Sequence, residues 1–100
     1  MNKIYTLIIN SIIAKDTPNG TVFKLRFYVK NNNTYVYDTI QAASIRLSFF
    51  LAAADSKNIK DTLGKSVKAT IVTRCGLNKL DNKPYSHLIV NKYIGGANNE

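Results

Sequence analysis

The sequence contains one cysteine, one histidine, no tryptophan and only six acidic residues in 100 positions, and each scarcity excludes something. With Cys75 alone, no intrachain disulfide can form and no cysteine-based metal cage can be assembled, which suits a reducing compartment. His87 falls inside a strand pattern with no evident acidic partner, so it reads as a structural or surface histidine rather than a general base. A Cys75/His87 dyad across a hairpin is the one nucleophile arrangement to consider, and two such common residue types are a weak signal. The aspartates are scattered through turns and element ends rather than grouped for metal ligation. Glycine-rich phosphate loops, HExxH and paired-cysteine motifs are missing. The expectation is a protein that is not an enzyme, with no catalytic residues, no metal and no cofactor.

Long apolar runs are also missing. Leu7 to Ala14 is interrupted by Asn10 and Ser11 and falls far short of the roughly 20 residues a membrane span needs. Met1-Asn2-Lys3 leads into β-branched residues alternating with polar ones, unlike a secretory signal. The expected partners include no membrane, and the expected location is cytoplasmic, that of a bacterial host if the protein is viral.

What is abundant is positive charge. Fourteen Lys and Arg against six Asp and Glu give a net charge of +8 and make polyanions, nucleic acid first, the natural partners. Excess charge also serves solubility alone, so its placement must decide. A hydrophobic fraction of 45% is normal for one globular domain, read here as residues 1–94, followed by a polar tail over 95–100 that reads as flexible. A chain of this size buries only roughly 60 to 70% of its surface, which favours binding on the outside over chemistry in an internal cavity.

Lys3 to Lys15 is Ile-rich and reads as a long strand, with Asn10-Ser11 marking a bulge or bend. Asp16 to Gly20 is a hairpin turn. Thr21 to Lys30 alternates: Phe23, Leu25, Phe27 and Val29 lie on one face, Lys24, Arg26, Tyr28 and Lys30 on the other. Asn31 to Asn33 supplies a second turn before a strand over Thr34 to Thr39. Helical spacing of Ile40, Ala43, Leu47, Phe50, Leu51 and Ala54 predicts a helix over 40–54, and Ser56 is a candidate cap for a short helical turn ending at Gly64. Ser66 to Arg74 and Ser86 to Ile94 are the last two strands, joined by a basic loop from Cys75 to Pro84.

Three strands, a helix and two more strands is the order of the OB fold, a five-stranded Greek-key barrel that is all-β apart from the helix between strands three and four. An α+β antiparallel sheet with the helix on one face is the alternative. In the barrel, Lys24, Arg26, Tyr28 and Lys30 form one outer row, and with Val36 inward, Tyr35 and Tyr37 emerge beside it. Cations neutralise phosphates while exposed rings stack on unpaired bases, a combination that suits single strands. The competing readings are an ordinary solvated face for the cations, and cross-strand or subunit packing for the tyrosines. Arg74, Lys79 and Lys83 cluster in or beside the last loop, where such domains extend their groove, though a solvated basic loop explains them equally well.

The chain resembles the small OB-type single-stranded DNA-binding proteins of bacteriophages and their bacterial relatives. The resemblance rests on Gly20 to Val29 as second strand, the helix after Asp38-Thr39, Leu63 to Val67 entering the fourth strand and Val90 to Ile94 closing the fifth. It implies sequence-tolerant coating of single-stranded DNA in replication or recombination by a homodimer or larger homo-oligomer, with RNA also compatible. By position its contacts are Lys24, Arg26, Tyr28, Tyr35 and Tyr37. The chain departs from cellular members in lacking an acidic C-terminal tip, and from many in lacking tryptophan. A protein-interaction module using its tyrosine face as an interface is the reading from a different class.

Overall fold

The period-two alternation of the sequence is realised as five strands in one sheet that closes in a ring. The computed structural model describes residues 3–94; the tail reading for 95–100 lies outside the described residues. The strands are β1 (Ile4–Thr17), β2 (Gly20–Val29), β3 (Tyr35–Gln41), β4 (Ser66–Leu77) and β5 (Pro84–Ile94), and one helix, α1 (Ile45–Ala53), follows β3. A 3₁₀ turn over Ile59–Thr62 leads to β4. Around the ring the order is β1-β2-β3-β5-β4, with β4 pairing back onto β1 from Ile4 opposite Thr70 to Ile8 opposite Ser66. No described helix is long and apolar enough to cross a membrane.

The core follows the alternation. Leu25 and Phe27 of β2, Val36 and Ile40 of β3, Leu7 and Ile9 of β1, Val67 and Ala69 of β4 and Val90 and Tyr93 of β5 are buried together. Phe50 of α1 closes one end, its ring edge-on to Phe27 at 6.1 Å and to Tyr93 at 5.3 Å between centroids. Such edge-to-face pairs add about 0.5–1.5 kcal/mol to the burial itself. Asn10 is an extra residue in β1: the register passes from Ile9 opposite Phe27 to Ser11 opposite Arg26, the bulge expected there.

Several boundaries differ from the sequence reading, with β1 running on to Thr17 and β3 to Gln41. The helix begins after Ser44, not at Ile40, because Ile40 is buried in β3 opposite Phe23, where its period-two relation to Val36 outweighs its helical spacing to Ala43. Asn58, rather than Ser56, caps the short turn, its side chain accepting from the Lys60 amide at 3.0 Å. Gly64 ends that segment at φ +84°, as a left-handed position requires. The loop expected over Cys75 to Pro84 shrinks to a tip, since β4 and β5 remain paired out to Leu77 opposite Pro84.

The ring closes unevenly. β3 meets β5 in parallel through a single ladder pair, Tyr37 with Ile89, so backbone bonding at that seam is sparse. Side chains reinforce it. Asp38, inward on β3 with only 9% of its side chain exposed, accepts from Arg46 Nε of α1 at 3.1 Å and from the Tyr93 hydroxyl of β5. Arg46 Nη2 also donates to the Val90 carbonyl at 3.0 Å, and its guanidinium lies 5.2 Å from the Tyr93 ring centroid. Burial, reinforced by the Asp38 carboxylate, raises the Tyr93 phenol far above its ordinary pKa. The network leaves no buried side-chain polar atom without a partner among the described residues.

Candidate nucleic-acid interface

The outward rows of β2 and β3 face solvent together. Lys24 is opposite Thr39, Arg26 opposite Tyr37 and Tyr28 opposite Tyr35. Tyr28, Tyr35 and Tyr37 are 37%, 47% and 39% exposed, so none of the three rings has turned into the core.

Arg26 is held in place from two sides. Its guanidinium lies 5.0 Å from the Tyr35 ring centroid, a cation–π distance. With the Asn10 amide oriented so that its oxygen faces Arg26, that oxygen accepts from Nη2 at 2.8 Å and from Nε at 3.0 Å. The β1 bulge thus aims a neutral amide at the guanidinium, fixing its direction while leaving its charge uncompensated.

On the other side of β3 the aromatic surface continues into β5. The His87 ring is edge-on to Tyr37 at 6.2 Å, and Tyr85 lies 5.2 Å from His87 at an interplanar angle of 35°. Arg74 of β4 stands opposite His87, and Gly76 opposite Tyr85. A Cβ at Gly76 would come within 2.7 Å of the Tyr85 hydroxyl oxygen and 2.9 Å of Cζ, so the glycine is what lets the Tyr85 ring lie across β4. A groove of about 620 Å³ joins the two sides, lined by Lys24, Leu25, Tyr37, Asp38, Thr39, Arg74, His87 and Ile89, with the Asp38 carboxylate already engaged by Arg46 and Tyr93.

Six of the nine residues singled out in the sequence therefore meet on this face: Lys24, Arg26, Tyr28, Tyr35, Tyr37 and Arg74. Lys30 stands apart at the end of β2, its amide donating to the Thr6 carbonyl at 3.0 Å and its side chain lining a hollow with Lys3. Lys79 and Lys83 occupy the tip of the β4–β5 hairpin, where Asn78 accepts from the Leu80 amide at 2.8 Å and Asp81 from the Lys83 amide at 3.1 Å. Tyr85 and His87 are the residues that sequence reasoning missed. Inward Leu88 and Val90 set their parity, but in the sequence Tyr85 falls between the loop ending at Pro84 and the strand starting at Ser86, and His87 reads as an isolated histidine.

Comparison with family models, curated proteins and solved structures returns no match.

Cys75 Sγ neighbours Ser86 Oγ at 3.8 Å, whereas His87 is the register partner of Arg74, so the two residues lie on opposite faces of the hairpin and form no dyad. Among the described residues no three of His, Cys, Asp or Glu come together as a metal site.

Proposed function

We propose that the protein is a sequence-tolerant single-stranded DNA-binding domain of the OB type. The strand order, the helix between the third and fourth strands and the ring closure support the fold reading. The observation that carries the function is the shared outer face of Arg26, Tyr28, Tyr35 and Tyr37, with Lys24 and Arg74 on its flanks. Phosphates are neutralised by Lys24, Arg26 and Arg74, and unpaired bases stack on the tyrosines at about 1–3 kcal/mol per base.

Single strands are favoured over duplex for two reasons. A stacked duplex offers no free base faces to the three exposed rings. The element that would enter a major groove is also missing its charge: the only basic residue of α1, Arg46, is engaged by Asp38.

The test is a titration with oligothymidine, its duplex counterpart and oligouridine, followed through tyrosine fluorescence without tryptophan interference. Three phosphate contacts predict a log–log salt slope of about −2 for the single strand. Absence of single-strand binding at low salt overturns the reading, and salt-insensitive self-association through the tyrosine face in its place supports a protein-interaction module.

A further inference from the structure

Lys30, which the tyrosine face does not use, belongs to a second feature at the end of the ring bearing the Asn31–Thr34 turn. A hollow of about 320 Å³ opens there with an apolar floor of Val29, Ile71 and Leu88 and walls that include Tyr5, Asn32 and Thr73. A second hollow of about 360 Å³ shares Tyr5, Val29 and Asn32 with the first and adds Lys3 and Lys30. Neither lining contains an aspartate or glutamate.

The polar groups are distributed unevenly. The Thr34 hydroxyl donates to Asn32 Oδ1 at 2.9 Å, which engages the acceptor of that amide and leaves its NH₂ as a donor. The Lys3 ammonium sits 5.2 Å from the Tyr5 ring centroid, at the boundary between the two hollows. An apolar floor with amide and hydroxyl groups at its wall suits a planar heterocycle with carbonyl edges, and two cations beside it suit the attached phosphate. The inner hollow lies at the small end of the roughly 300–1,000 Å³ range of ligand pockets.

Position links this feature to the binding face. Lys30 follows Tyr28 by two residues, in the turn just past the end of β2 at Val29, so the hollow begins where the outer row of β2 ends. We propose that the mouth of the ring takes one nucleotide of the bound strand, its base over Val29, Ile71 and Leu88 and its phosphate between Lys3 and Lys30. This rests on the single-strand reading and adds to it a pocket that captures a base rather than stacking it.

Methyl NMR separates the two claims. On titration with oligothymidine, the methyl resonances of Val29, Ile71 and Leu88 are expected to shift and saturate together with the ring resonances of Tyr28, Tyr35 and Tyr37. Shifts of the rings without the methyls overturn the pocket and leave the face standing; if nothing shifts at low salt, the face fails first and takes the pocket with it. Joint substitution Lys3→Ala and Lys30→Ala removes the contact to that one phosphate and should make the salt slope shallower by about 0.7. An unchanged slope overturns the phosphate assignment. Thr73→Trp, which places an indole over the hollow, should weaken oligothymidine binding about three- to tenfold, with a thermal melt to confirm that the variant folds. Unaltered binding by a folded variant also counts against the pocket.

Discussion

Arg46 and Arg26 each lie over a tyrosine ring, at 5.2 Å from Tyr93 and 5.0 Å from Tyr35, and they differ in the group that holds the guanidinium. Arg46 is held by the buried carboxylate of Asp38 and Arg26 by the amide of Asn10. The first arrangement neutralises charge and ties α1, β3 and β5 together. The second fixes an orientation and keeps the charge available to a ligand. The same pair of side chains is thus structural at one site and suited to recognition at the other, and the hydrogen-bond acceptor beside it makes the difference.

Substitutions should separate the two sites cleanly. The largest effect is expected from Asp38→Ala, which strips Arg46 and Tyr93 of their shared acceptor and should lower unfolding stability by about 2–3 kcal/mol in urea melts. That is the low end for a broken ion pair, because Arg46 retains 34% exposure to water. Tyr35→Ala should do the reverse, weakening oligothymidine binding by about 2 kcal/mol, close to thirtyfold, while moving the urea midpoint hardly at all. A stability loss as large as that of Asp38→Ala would show that the outer pair is structural after all.

Alkaline pH probes the buried site through Tyr93. The Tyr93 phenol keeps its proton more tightly in the folded state than its ordinary value of 10.0 allows, so its contribution is fully present below about pH 10. Above that the unfolded chain ionises while the folded one resists, and stability falls as pH rises. Tyr93→Phe should cost about 1.5 kcal/mol at neutral pH and flatten this alkaline decline in a series of thermal melts; an equally steep decline in the variant would remove Tyr93 as its cause.

Asn10→Asp tests the comparison most directly, since it gives Arg26 the kind of partner Arg46 has. Binding should weaken about fivefold and the salt slope should become shallower by about 0.7, with stability changed by less than about 1 kcal/mol. Binding as tight as in the parent protein would mean that the charge of Arg26 is not used. The smallest effect is expected from Gly76→Ala, which displaces the Tyr85 ring; a loss of about twofold in affinity, with the fold intact by circular dichroism, is the predicted outcome.

The parts of this molecule that were legible in the sequence are those where one strand face is buried. Leu25 and Phe27 alternating with Lys24, Arg26 and Tyr28 mark both the core face and the outer row of β2. Asp38 was equally exposed to that logic, since Val36 and Ile40 put it inward, and an inward carboxylate demands a cation or a donor. The start of α1 was obscured because Ile40 satisfies both periods at once, and only its packing against Phe23 distinguishes them. The outer reach of β4 and β5 left no hydrophobic signal because that hairpin extends past the core, with Thr73 to Cys75 and Pro84 to His87 exposed on both faces.

The ring order carries a consequence for assembly. β1, β2 and β3 are neighbours in sequence and can form a meander early, whereas β5 alone contacts both β3 and β4. Until it docks, each of those strands has an open edge, and the long-range pairing of β1 with β4 has nothing to brace it. β5 is the keystone of the circle: it alone pairs with both β3 and β4, and through it His87 and Tyr85 come to lie beside Tyr37.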